Sequence, residues 1–262
     1  MTLPSRFLGA FAKHRRAQVH IRSLNEVLAA YDRSSPWRPE KSDDLPEGMV
    51  RIRLLHPPPE EIGPILGDVV HNLRSALDYA TCSLVEFGHD SVDLSRTQFP
   101  FGEQDRELTT KEKKGASLGD IAPHALIMIE EARRCGGFAL QLLKILSNQD
   151  KHRLLLATVA RQFPIRMQID VATNSADFVP DENGIDVWFR NLTDGIVIPM
   201  PQILSIKLGI EVEGQEAPFV IHTIDHVNNA VGLALRLMAT AVDLPDPPNE
   251  GHSSHGAKSE RP

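Results

Sequence analysis

The segment ILGDVVHNLRSALDYATCSLVEF, residues 65–87, decides the fold of this 262-residue chain. At about 100° per residue, its apolar residues gather on one side of a helix. They are Leu66, Val69, Leu73, Ala76, Leu77, Ala80, Leu84 and Phe87. The opposite side carries Asp68, His71, Arg74, Ser75 and Asp78. The pattern predicts a central helix with one buried apolar face and one polar face.

Composition is typical of a globular protein, with 41% hydrophobic and 24% charged residues. The net charge of -7 gives no overall basic field for nucleic-acid binding, although a local basic patch is compatible with it. There is no apolar run near the ~20 residues that span a membrane, and no secretory segment at the start. The two cysteines lie far apart in the sequence, which predicts that both are buried, unpaired residues in a protein of a reducing compartment. These features predict a cytoplasmic protein with no membrane partner.

The hydrophobic period divides the chain into a helical part and a strand part. Period 3.6 predicts helices at 5–31, 60–87, 123–134, 138–161 and 222–243, with Gly136 and Gly137 separating the third from the fourth. Period two predicts strands at 49–55, 164–172, 185–190, 195–199 and 203–213. The predicted fold class is α+β, a helical bundle packed with an antiparallel sheet.

The predicted domain is a single unit, residues 1–244. It comprises a helical part (1–162), a sheet (163–221) and a closing helix (222–244). Residues 245–262 contain no core residues, which predicts a disordered tail. The segment between the central helix and about residue 119 reads as a loop.

A second polar segment, SNQDKHR at 147–153, interrupts an otherwise apolar helical pattern. Buried charges cost several kcal/mol each unless they are paired. The segment is therefore either an exposed helix–helix turn, with Asp150 capping the second helix, or a satisfied polar cluster. In a continuous helix Asn148 and His152 are i,i+4 neighbours. We predict that the helices at 65–87 and 138–160 pack directly against each other.

The segments GDVVHNLRSALDYA and LLKILSNQDKHRLLL resemble a widespread bacterial and phage protein family that has no assigned activity. Its members pair a GDxxxNLRSALD segment with an NxxDKHR segment and carry an FP-containing stretch between them. Here FPF at 99–101 fits that stretch. A single residue separates Asn148 from Asp150, where the NxxDKHR pattern has two. The resemblance covers about residues 48–160 and implies no particular chemistry.

A helical core with clustered Asn, Arg and His is also similar, more distantly, to the HEPN superfamily of metal-independent ribonucleases. The motif there is an Arg, a polar residue, and a His four to six residues after the Arg. Arg15 and His20 have this spacing, but Arg16 stands where Asn, Asp or His is expected. The resemblance implies RNA as a partner.

The two polar segments predict one composite site. His71 suits proton transfer near neutral pH, and Arg74 suits bidentate binding of a planar anion. Lys151 and His152 complete the catalytic set, and either Asp68 or Asp78 orients the imidazole of His71. The supporting residues are Asp68, Asn72, Asp78, Asn148, Asp150 and Arg153. Such a cluster predicts metal-independent RNA processing or binding of a phosphate-bearing ligand.

Three other interpretations stay open. Asp68 and His71 have the i,i+3 spacing of carboxylate-bridged bundles, but no HExxH motif or cysteine pair accompanies them, so neither a metal nor a cofactor is predicted. The basic N-terminal helix is either a solvated face or a strip that contacts phosphates. The polar motifs can also form a purely structural network that ties helices together, in a protein whose function lies in an interaction surface. A homo-oligomer is compatible with each of these.

Overall fold

In a computed structural model, the described residues are 5–40, 49–87, 92–103, 106–119, 121–152, 166–168, 175–181, 184–190, 205–207 and 220–243. The α-helices are α1 (Leu8–Arg33), α2 (Ile62–Glu86), α3 (Thr110–Gly115), α4 (Pro123–His152) and α5 (Val220–Thr240). A 3₁₀ turn, Ser5–Phe7, precedes α1, and another, Ala241–Asp243, follows α5. Among these helices, none is long and apolar enough to cross a membrane.

The central helix α2 packs against α1, α4 and α5. Seven of the eight residues predicted for its buried face are at most 1% exposed, from Leu66 to Leu84. The eighth, Phe87, lies just beyond the helix and is half-buried. Burial extends to Val70 and Val85 because three helices surround α2. The predicted central helix is confirmed, and it packs against the described part of the 138–160 segment, where Asp150 lies close to Gly67. Residues 153–160 lie outside the described residues.

Helix α4 is interrupted at Gly137, where φ is 50° and ψ is -141°. A positive φ of this kind is accessible to glycine and strained for other residues. The predicted break at Gly136–Gly137 is therefore confirmed, and the two arms of α4 correspond to the predicted third and fourth helices. The second arm continues through the 147–152 segment as helix. This excludes a helix–helix turn within residues 147–152.

Helix α3 lies in a segment that sequence analysis predicted to be a loop. Its first turn is closed by a capping box: Thr109 Oγ1 accepts from the backbone N–H of Glu112, and the Glu112 carboxylate accepts from Thr109 N–H. This arrangement satisfies two backbone donors at the helix start. The T-x-x-E spacing of Thr109 and Glu112 is a known signature of such a start, so the sequence contained a signal for α3.

In the described part of the chain, six strands pair through antiparallel ladders. They are β1 (Trp37–Glu40), β2 (Met49–Leu54), β3 (Arg166–Gln168), β4 (Ser175–Asp181), β5 (Gly184–Arg190) and β6 (Ser205–Lys207). Four of them join in the order β1-β2-β5-β4, and β3 pairs with β6. The predicted strand at 195–199 and the predicted tail at 245–262 lie outside the described residues.

The α+β fold class is nevertheless wrong, because the packed body that the structure describes is helical. The core residues whose burial the structure describes lie in helices or in the connection between α2 and α4. Alternation with period two indicates extended backbone, but it does not determine whether the extended segments pack on the helices. The apolar faces of α1, α2, α4 and α5 cover one another, and a helical bundle rather than a helix–sheet sandwich forms the core.

Candidate functional site

Two hydrogen bonds and one cation–π contact fix the side chain of Arg74 in α2. Its Nε donates to Asp78 Oδ2 at 3.3 Å, and its Nη2 donates to Gln98 Oε1 at 3.2 Å. The guanidinium carbon lies 4.3 Å from the centroid of the Phe101 ring, a cation–π contact. The side chain is only 12% exposed. An arginine side chain has five N–H donors, so two hydrogen bonds leave three unpaired within the described structure.

Asp78 joins this arginine to the loop after α2. One carboxylate oxygen accepts from Arg74 Nε, and the other accepts from the backbone N–H of Phe99 at 2.8 Å. Arg74 and Asp78 are i,i+4 neighbours, so both lie on one face of α2. The carboxylate therefore positions the guanidinium and the FPF loop together. Asp78 was one of the two residues predicted to orient His71, and its hydrogen bonds to Arg74 and Phe99 make it a positioning residue for Arg74.

A cleft opens beside Arg74 between α2, α3, α4 and the 98–102 loop. Its first lobe, which we call the Arg74 lobe, has a volume of about 320 Å³. Lys144 and Asn148 of α4 line this lobe together with Arg74, and both are exposed. Within the described ranges, neither Lys144 nor Asn148 has a hydrogen-bond or ion-pair partner. The lobe thus contains two cationic side chains and one free amide.

A second lobe, the Gln141 lobe, lies next to the first and has a volume of about 480 Å³. The residues common to both lobes are Phe101, Gly102, Glu112 and Lys144. The Gln141 lobe adds Glu103, Arg106 and Gln141. The two lobes are therefore adjacent, and Lys144 lines both of them.

An ion-pair cluster next to Gly102 contributes Glu112 to both lobes and Arg106 to the Gln141 lobe. Glu112 accepts from Arg106 Nη1 at 2.8 Å and from Nη2 at 3.0 Å. These hydrogen bonds hold the pKa of Glu112 well below its usual range and raise the pKa of Arg106. Arg133 is buried and donates to the Glu103 carbonyl, and burial lowers the pKa of its guanidinium. Both Arg106 and Glu112 are therefore ionised throughout the neutral pH range.

Gly102 leaves room for this cluster. A Cβ atom at this position would lie 2.6 Å from Glu112 Oε1 and 2.8 Å from Arg133 Nη2. Both atoms are held by partners, so neither side chain can withdraw without breaking a hydrogen bond. Glycine at 102 therefore allows the loop to approach the ion pairs closely.

The other predicted residues on α2 separate into two groups. His71 is exposed and shares a helix face with Gly67, Arg74 and Asp78, at spacings of four, three and four residues. Asp68 instead lies towards α1, where its Oδ2 is 3.8 Å from Nδ1 of His20. His71 therefore shares a helix face with Arg74 but lines neither lobe, and the structure gives Asp68 a different histidine.

The surroundings of Asn72 and Asp150 indicate structural roles for both residues. Asn72 is 8% exposed, and its Nδ2 donates to the Asp68 carbonyl at 2.8 Å within α2. Asp150 Oδ1 would lie 3.1 Å from a Cβ atom on Gly67, so α2 and α4 approach closely there. Glycine at 67 permits this approach.

Lys151 and His152 end α4, but their side chains, and all of Arg153, lie outside the described part of the structure. Their catalytic roles stay predictions. Of the predicted site residues, Arg74 and Asn148 line the same cavity. Among the described residues, no three His, Cys, Asp or Glu side chains come together as a metal site would require.

Sequence reasoning missed Gln98, Phe101, Gln141 and Lys144. Lys144 and Asn148 have i,i+4 spacing, which puts them on one face of α4, and this signal was readable. Gln98 and Phe101 lie in a loop, where no periodicity indicates which side chain reaches Arg74. No protein-family model, curated protein or solved structure matches the chain.

Proposed function

We propose that this protein binds a phosphate-bearing ligand in the Arg74 lobe, with Arg74, Lys144 and Asn148 as the anion-binding residues. The observation that carries the proposal is the state of Arg74: it is largely buried, oriented by Asp78 and Gln98, and retains three unpaired N–H donors. An arginine that only tied the helices together would not need its remaining donors at an open cleft.

The chemistry of these residues fits a phosphate group. A guanidinium held in one plane binds two phosphate oxygens at once and loses little side-chain entropy on binding. Lys144 adds a point charge that makes no ion pair among the described residues, although the Glu112 carboxylate lines the same lobe. Asn148 adds an amide donor from the same face of α4. Stacking on Phe101 keeps the guanidinium partly out of water, which strengthens its charge-assisted hydrogen bonds.

The first test replaces Lys144, which has no ion-pair partner among the described residues. We expect Lys144→Gln to weaken binding of inorganic phosphate by about tenfold, because a hydrogen bond to a charged group is worth roughly 1.5–3 kcal/mol. The measurement is isothermal titration calorimetry at fixed ionic strength. Lys111→Gln is the matched control, since Lys111 is an exposed lysine of α3. Equal dissociation constants for the parent and Lys144→Gln would rule out this site.

RNA processing is the catalytic form of the same proposal. His71 lies on the Arg74 face of α2 and is exposed to solvent, as an acid–base group requires. We expect the purified protein to cleave mixed RNA in the presence of EDTA, and His71→Ala to abolish this cleavage. His226→Ala, an exposed histidine of α5, is the control. An intact RNA population after incubation with the parent protein would refute the catalytic form and leave ligand binding unaffected.

A structural role is the second candidate, and the Asp78–Phe99 hydrogen bond favours it. That bond and the Arg74 contacts join α2 to the loop 21–27 residues further along the chain. In this alternative the polar network sets the position of the FPF loop and binds no ligand. A cytoplasmic location and a homo-oligomeric state stay predictions.

A further inference from the structure

The Gln141 lobe extends the cleft well beyond the space that a phosphate ion needs. It shares Phe101, Gly102, Glu112 and Lys144 with the Arg74 lobe, and volumes of about 320 and 480 Å³ belong to the size class of small-molecule sites. A phosphate bound at Arg74 would fill a small part of the first lobe. The remainder of the cleft is available to the group that carries the phosphate.

The Gln141 lobe has no charge left for a second phosphate. Arg106 is its additional cation, and four of its five N–H donors are used by Glu103, Glu107 and Glu112. The carboxylates of Glu103 and Glu112 balance this guanidinium. The lobe therefore disfavours a ligand that carries a second anionic group.

The same lobe presents oxygen acceptors. Gln141 Nε2 donates to the carbonyls of Phe101 at 3.3 Å and Gly102 at 2.6 Å, which fixes the amide and leaves Oε1 as an acceptor without a partner in the described structure. The carboxylates of Glu103 and Glu112 have lone pairs besides those used by Arg106. Acceptors of this kind bind hydroxyl groups.

Aromatic stacking is not what this lobe provides. Phe101 is 7% exposed, the Arg74 guanidinium covers one face of its ring, and Phe99 contacts it edge-on at 4.9 Å. The ring therefore has little free surface for a nucleobase. This favours a hydroxylated body over a planar aromatic one.

We infer that the ligand is a small phosphomonoester of a polyhydroxylated molecule, of the sugar-phosphate class, with its phosphate at Arg74 and Lys144 and its hydroxyl groups at Gln141, Glu103 and Glu112. This inference rests on the proposed phosphate binding and adds the chemical class of the ligand. Lys144, at the junction of the lobes, lies next to the ester oxygen in this arrangement.

The test compares three phosphates on the full-length protein by calorimetry. Ribose 5-phosphate is expected to bind about tenfold more tightly than inorganic phosphate, and pentyl phosphate, which lacks hydroxyl groups, is expected to show no such gain. Gln141→Met should remove most of the gain for ribose 5-phosphate and leave inorganic phosphate binding within about twofold. Gln149→Met, a half-buried glutamine of α4, is the matched control.

The outcomes separate this inference from the proposed function. No binding of any of the three phosphates refutes both. Binding of inorganic phosphate with equal affinities for ribose 5-phosphate and pentyl phosphate refutes only the sugar-phosphate class, as does tighter binding of pentyl phosphate. The ligand ranking is measured on the parent protein, so it decides the matter even if Gln141→Met lowers the melting temperature.

Discussion

Arg74→Gln is expected to weaken inorganic phosphate binding roughly 30-fold or more. Removing one partner of a hydrogen-bonded, largely desolvated charge pair costs about 2–5 kcal/mol, and each 1.4 kcal/mol is a factor of ten. Arg74 is 12% exposed, so its contribution is not screened as a surface charge would be. Isothermal titration calorimetry measures the change. Arg134→Gln, an exposed arginine of α4 that pairs with Glu131, should bind phosphate as the parent does.

The same variant discriminates between ligand binding and a structural network. Asp78 keeps the Phe99 N–H donor when Arg74 is replaced, and its side chain is 29% exposed to water. The free energy of unfolding should therefore fall by only about 1–2 kcal/mol. A loss of roughly 3–5 kcal/mol, as for a stranded buried charge, together with no phosphate binding by the parent protein, would establish the structural alternative.

Leu73→Ala is expected to lower the free energy of unfolding by about 2–5 kcal/mol. Leu73 is 0% exposed and lies on the face of α2 that the surrounding helices cover. Truncation removes buried methyl groups and leaves a cavity that rigid helix packing cannot close. Urea unfolding measures the loss.

Ile127→Ala is the matched control for this core substitution. Ile127 is a 57% exposed aliphatic residue of α4, so its truncation should change stability by no more than about 0.5 kcal/mol. Equal losses for Leu73→Ala and Ile127→Ala would contradict the central position of α2.

Helix positions were predictable because the period of a helix is local. The apolar spacing of α2 and the glycine pair at 136–137 each act within a few residues. The predicted neighbours α2 and α4 follow from the same information, since each helix has an apolar face that needs a partner. The capping signal at Thr109 and Glu112 was equally local, and α3 could have been predicted from it.

The fold class could not be predicted in the same way. Alternating residues such as Ile185, Val187 and Phe189 do lie in an extended strand, β5. A strand forms when its backbone preference is extended and a neighbouring strand is available. Whether a sheet or other helices pack on a given helix depends on all the apolar faces in the chain. Here the helices cover one another.

For the candidate site, the sequence by itself determined that His71, Arg74 and Asp78 share one face of α2, because helical spacing is a property of the chain alone. Only the tertiary structure decided which partners these side chains find. Asp78 reaches Phe99, Arg74 reaches Gln98 and Phe101, and Asp68 pairs with His20 of α1 instead of His71. The physical reason is that helices distant in sequence and a loop without periodicity come into contact only when the apolar core forms. That packing determines which N–H donors of Arg74 stay unpaired.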